Sequence, residues 1–159
     1  MSWHVLHLKP RSEKKTAKYC GLLGMDCYLP LRRESRIYQR RKVVVDKPLF
    51  PGYLFVSLTR PGRLALLKTN NVLRELSAPD DSRLLYELDQ IRKALSVDPA
   101  LGACKALEKG KRVRVRGGPF MGVEGIVSFK GKTRVRLNVE MIGQAVAVEV
   151  EEEWLEVID

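Results

Sequence analysis

A chain of 159 residues is long enough for one ordinary domain or two small ones. Apolar residues make up 45% and charged residues 30%, so a real core can form, and no apolar run approaches the roughly 18 residues that span a membrane. The net charge of +10, with a pI near 9.7, favours a polyanionic partner.

In chain order, Trp3 to Leu8 reads as a strand stopped by Pro10. Ser12 is the expected N-cap of a helix from Glu13 to about Leu23, with Ala17, Cys20 and Leu23 or Gly24 facing inward and Lys14, Lys15 and Lys18 outward. Cys27 to Leu29 is a short strand ending at Pro30, and Arg32 to Val45 is a strongly basic hairpin or loop. Pro48 and Pro51 bracket Leu49 and Phe50 and confine them to an edge or loop, because proline cannot donate to a sheet ladder.

Tyr53 to Leu58 then reads as a strand with Tyr53 and Phe55 on one face and Leu54 and Val56 on the other. Both faces are apolar, so one needs a covering helix or a partner protein. Pro61 and Gly62 open a short helix through Leu67, Val72 to Leu76 is a strand, and Ala78 to Asp81 a turn. A helix from Ser82 to about Leu95 carries Leu84, Leu88, Ile91 and Leu95 on one stripe. Residues 97–107, with Pro99 and Gly102, read as a linker. From Lys111 the period becomes two, and five short strands predict a small barrel or tight sandwich.

The charge is uneven. Residues 1–46 carry 11 Lys/Arg against 4 Asp/Glu, whereas residues 108–159 carry 9 of each. Nucleic acid is therefore expected at the first third and protein at the last. The basic candidates are Lys9, Arg11, Lys14, Lys15, Arg32, Arg33, Arg36, Arg40, Arg41 and Lys42; contacts of this kind go to phosphate and give affinity rather than sequence choice.

Signals for an enzyme fall short. His4 and His7 differ in strand parity and cannot share a metal, and no serine or cysteine sits in an activating motif. Gly131-Lys132-Thr133 lacks the earlier glycine of a phosphate loop, since Ile126 stands there. Three cysteines with no CxxC pair indicate neither a disulfide frame nor a zinc finger and suit a reducing cytoplasm; no metal or cofactor is expected. Lys9, Arg11, Lys14 and Lys15 interrupt any signal-peptide core.

Several tracts together resemble the NusG family of transcription elongation factors over nearly the whole length. They are Trp3 with its apolar strand, Lys9-Pro10-Arg11-Ser12-Glu13, Tyr28-Leu29-Pro30, and Pro48-Leu49-Phe50-Pro51-Gly52-Tyr53-Leu54-Phe55-Val56. A KOW element fits Lys111 to Gly125. The short N-terminal section is more similar to the specialised RfaH-type branch than to housekeeping members.

The resemblance implies an α+β protein. An N-terminal α/β sandwich with an antiparallel sheet (residues 1–96) would be joined by a linker (97–107) to a five-stranded SH3-like KOW β-barrel (108–159). It implies a monomeric, cytoplasmic, non-enzymatic factor that binds RNA polymerase at the β′ clamp helices, reads non-template DNA and suppresses pausing and termination on selected operons. Phe50, Pro51, Tyr53 and Phe55, bordered by Val5 and His7, would seat on the clamp. Lys9, Arg11, Lys14, Lys15 and Asn70 would face DNA, with Arg40 and Arg41 in the basic hairpin. RfaH-type factors carry a His-Thr-Thr tract for a second polymerase contact where this chain reads Gly62-Arg63-Leu64-Ala65.

In the barrel, Phe120, Met141 and Ile142 match positions that bind a small-subunit ribosomal protein or Rho. The alternation of β-branched residues in Val135–Val139 and Val146–Val150 opposes a helical form of this segment. Two rival readings are a housekeeping member acting genome-wide with Rho, and a ribosome-associated RNA-binding KOW protein.

Overall fold

The computed structural model describes residues 2–158, which form an α+β fold with antiparallel sheets and, among the described residues, three α-helices. The first half holds β1 (Ser2–Leu8), α1 (Glu13–Leu22), β2 (Cys27–Tyr28), β3 (Leu31–Tyr38), β4 (Arg41–Pro48), β5 (Tyr53–Leu58), α2 (Arg60–Lys68) and β6 (Val72–Ser77). Then follow α3 (Asp81–Val97), β7 (Ala103–Lys105), β8 (Arg112–Val115), β9 (Glu124–Ser128), β10 (Arg134–Val139), β11 (Gln144–Glu149) and β12 (Leu155–Val157). The chain divides into two compact units, Met1–Leu31 with Pro48–Leu84 and Arg32–Lys47 with Leu85–Asp159.

The first unit is built on a four-stranded sheet in the order β2-β5-β1-β6. Strand β1 is central, pairing with β5 through Val5–Phe55, Leu6–Leu54 and His7–Tyr53 and with β6 through Val5–Leu76. One face carries Leu6, Leu8, Leu54, Val56 and Leu58, which pack with Cys20, Met25 and Leu66 in a single apolar cluster. Thr59 caps α2 by accepting from Gly62 N at 3.1 Å. Ser12 does not cap α1 as its residue type suggests. Its hydroxyl turns back to donate to Lys9 O at 2.6 Å and so braces the turn before the helix. Helix α3 begins one residue earlier than expected, because Asp80 accepts from Ser82 N and Arg83 N.

The second unit contains a six-stranded antiparallel sheet in the order β12-β8-β9-β10-β11-β7. The period-two residues fall where the alternation places them: Val135 pairs with Val148 and Leu137 with Val146, and all four are buried with Val113, Val115 and Val139. The sixth strand is β7, inside the stretch that reads as linker. It pairs Cys104 with Ala145 at the sheet edge, where three residues suffice and little periodicity is needed. The basic stretch is a hairpin, β3–β4, turned at Gln39 and Arg40 with φ of 49° and 66°, the mirror-image turn geometry that suits strand twist. Its base is tied to the turn after α3: Pro99 O accepts from Arg33 N at 2.6 Å, and Ala100 O from the Arg32 guanidinium at 3.0 Å. Ile91 and Ala94 are buried on α3 while Leu95 is only half-buried, so the stripe closes at a spacing of three.

Candidate nucleic-acid interface

Lys9, Arg11, Lys14 and Lys15 are all exposed on the turn from β1 into α1 and on the first turns of that helix. Arg11 adopts a left-handed φ of 64°, which reverses the chain between strand and helix. Lys9 N donates to Asn71 O at 2.9 Å, so the start of β6 and the exposed Asn70 (φ 60°) lie against the same corner. Lys15, Thr16, Tyr19, Thr69 and Asn71 surround a hollow of about 230 Å³. Thr16 lies in its wall, and its hydroxyl is buried without a hydrogen-bond partner. Lys15 and the Tyr19 ring in the lining of the hollow suit a phosphate backbone with an unstacked base beside it. Arg40 and Arg41 are exposed at the hairpin turn in the other unit.

The same corner carries the aromatic residues. Gly52 N donates to the buried carboxylate of Glu13 at 2.9 Å, and Gly52 O accepts from Leu8 N at 2.7 Å. Gly52 has φ +87°, and a Cβ there would lie 3.2 Å from the His7 ring, so the turn demands glycine. Tyr53 follows, and its ring stacks on His7 with centroids 5.0 Å apart and planes 16° apart. Pro51 is exposed, and Tyr53 and His7 are partly so. Phe50, Phe55 and Val5, expected beside them, are 1%, 0% and 0% exposed. The accessible part of the six-residue patch is therefore Pro51, Tyr53 and His7, and the other three belong to the interior.

In the second unit the β8–β9 and β10–β11 connections lie at one end of the sheet and carry Phe120 and the 3-10 turn Glu140–Ile142. Phe120, Met141 and Ile142 are partly exposed, and Met121 is 68% exposed. The backbone at Gly118 supports the Trp154 ring so closely that an added Cβ would approach it to 2.3 Å.

Glu124 on β9 is bound by three partners. Tyr86 OH donates to it, Arg114 donates at 2.7 Å, and its amide donates to Gln90 Oε1 at 2.9 Å. Arg112 completes the cluster by donating to Tyr86 OH at 2.8 Å. The Tyr86 hydrogen bond, reinforced by Arg114 and opposed by burial, holds the Glu124 carboxyl below its ordinary value. Burial, followed by the Glu124 contact, pushes the Tyr86 phenol up.

A family model described as "Transcription termination factor nusG" matches residues 1–87, from β1 into α3. The chain belongs to the NusG family. Its relatives include the transcription termination/antitermination protein NusG of Borreliella burgdorferi, 24% identical over 99% of this chain and 98% of that one. The NusG proteins of Treponema pallidum, at 24% over 94% of each chain, and of Chlamydia pneumoniae, at 27% over 96% of this chain and 92% of theirs, are similar in extent. The coarse identity, a NusG-type transcription factor, follows.

Sequence reasoning missed the residues that hold these NusG surfaces in place. Glu13 looks like one more helix-start acid, and only the fold shows its carboxylate turned inward to Gly52. Thr16, Tyr19, Thr69 and Asn71 meet only because the turn that follows α2 lies against α1. No helix among the described residues is long and apolar enough to cross a membrane.

Proposed function

We propose that this NusG-family protein is a non-enzymatic, cytoplasmic elongation factor that binds RNA polymerase at the β′ clamp helices and contacts non-template DNA, suppressing pausing and termination on selected operons. The observation that carries this reading is the Glu13–Gly52 hydrogen bond, which fixes the exposed Pro51-Tyr53-His7 patch beside the basic turn Lys9–Lys15. An apolar anchor and a phosphate-binding rim on one corner suit a partner in which protein and nucleic acid lie side by side. Tyr53 anchors because a rigid ring buries a large area at little rotamer cost. Phe50, Phe55 and Val5 form the floor beneath the anchor. Bridging a mobile polymerase element to DNA biases that element toward its closed state.

The C-terminal sheet acts as a KOW-type, SH3-like barrel that recruits a small-subunit ribosomal protein or Rho through Phe120, Met141 and Ile142. The working modules are residues 1–96 and 108–159, in a monomer. The compact N-terminal section supports operon-selective action. Binding of the Tyr53→Ala chain to core polymerase tests the anchor, and undiminished affinity rejects it. Genome-wide occupancy, with and without inhibition of Rho, tests selectivity: signal on nearly every transcribed operon replaces this reading with the housekeeping one.

A further inference from the structure

Cys20 is fully buried in the apolar cluster of the first unit, and Cys27 packs against that cluster from β2 while keeping partial exposure. The connection between them is short and fixed. Cys20 O accepts from Leu23 N at 3.2 Å and from Met25 N at 3.0 Å, and Asp26 O accepts from Ser57 N at 2.8 Å. This return lays Cys27 over the turn of α1 that bears both Ala17 and Cys20. The Cys27 thiol donates to Ala17 O at 3.5 Å, and Cys20 lies three residues on from Ala17 on α1, in the cluster against which Cys27 packs. Two neighbouring thiols in one cluster, one buried and one reachable, form the arrangement of an attacking and a resolving cysteine.

We infer that Cys20 and Cys27 are a reversible thiol–disulfide couple, a modification site that a peroxide closes into an intramolecular disulfide tying α1 to β2. The Cys20 hydrogen bond, opposed by burial and by Asp26, draws the Cys27 thiol down to about 7, while the same contact and burial raise Cys20. The thiolate therefore sits on the accessible sulfur. It attacks a peroxide oxygen; the O–O bond breaks, hydroxide leaves and is protonated to water, and Cys27 is oxidised by two electrons to a sulfenic acid. The Cys20 sulfur then attacks the Cys27 sulfur, the S–O bond breaks, and the departing hydroxide takes the Cys20 proton as water. One peroxide is reduced to two waters as two thiols become one disulfide. A thiol reductant reverses the change by exchange. This differs from a structural disulfide frame, and it suits a reducing compartment, where such bonds are transient.

The test treats the full reduced chain with hydrogen peroxide, alkylates the remaining thiols and maps them by mass spectrometry. Cys104, partly exposed on β7, is the internal control. Of the three thiols, one is expected to remain alkylatable, with Cys20 and Cys27 in one cross-linked peptide lighter by two hydrogen atoms and restored by dithiothreitol. The Cys20→Ala chain should stop at a Cys27 sulfenic acid that a dimedone probe captures. Should that variant fail to fold, the wild-type map decides alone. The inference is overturned if all three thiols survive, if Cys104 oxidises first or links two chains, or if Cys27 passes to sulfinic acid while Cys20 stays alkylatable.

Discussion

Glu13 and Gly52 lie 39 residues apart, yet the buried carboxylate of the first accepts the amide hydrogen of the second at 2.9 Å. The hydrogen bond joins the helix that follows the basic turn to the turn that presents Tyr53. It also satisfies an amide that would otherwise be buried without a partner.

Replacing Glu13 with Ala should lower stability by about 1–3 kcal/mol, the usual cost of stranding a buried donor. Glu13→Gln keeps an acceptor and should lose less. Urea unfolding followed by far-UV circular dichroism reads both; equal losses would mean that the negative charge, not the shape or the acceptor, supplies the stability.

Tyr53 and Phe55 are two residues apart on one face of β5, but their substitutions should fail differently. Phe55 is wholly buried, so Phe55→Ala should cost about 3–5 kcal/mol of stability. Tyr53→Ala should leave the fold largely intact and weaken binding to core polymerase by about tenfold or more, as loss of an aromatic anchor does. Melting curves alongside polymerase titrations separate the two. A Tyr53→Ala chain that unfolds early would move Tyr53 into the core.

The double variant Lys14→Ala with Lys15→Ala should flatten the salt dependence of single-stranded DNA binding, by about 0.7 in logarithmic slope for each phosphate no longer neutralised. Affinity measured across a series of salt concentrations gives the slope. The same slope in both chains would remove these lysines from the interface.

Glu124 and Tyr86 set opposite pH limits on the cluster they share. The folded carboxyl lies below its ordinary value of 4.5, so the stability it contributes is present above that pH and lost as pH falls through the folded value. The folded phenol lies above its ordinary 10.0, so its contribution is full below that pH and lost as pH rises through the folded value. A carbon-detected NMR titration should find the Glu124 midpoint below the ordinary carboxylate range, and Tyr86→Phe should move that midpoint upward. An unmoved midpoint would show that Arg114 alone holds the carboxylate.

Much of this architecture is legible in the sequence because its signals are local. The two faces of Tyr53–Leu58, the alternation of Val135–Val139 and the turn before α3 follow from strand parity and turn chemistry alone. Burial is the harder matter. Phe50 and Phe55 sit in the same short motif as Tyr53, and composition cannot tell a ring in the floor from a ring on the surface. Strand β7 is hidden because three residues beside Pro99 and Gly102 carry too little pattern. Glu124 is invisible as a hub, since Tyr86 and Gln90 on α3 lie more than 30 residues before it and meet it and Arg114 only in three dimensions.

Strand β1 is made before both of its neighbours and yet occupies the middle of its sheet, between β5 and β6. During synthesis it must therefore wait, its apolar residues unmatched, until Tyr53–Leu58 has left the ribosome, and its other edge waits longer for Val72–Ser77. At translation rates of about 5–20 residues per second that interval lasts seconds, long enough for an unpaired hydrophobic strand to find the wrong neighbour. Lys9, Arg11, Lys14 and Lys15 follow that strand directly in the chain. Like charges flanking an unmatched apolar strand oppose its pairing with a second copy.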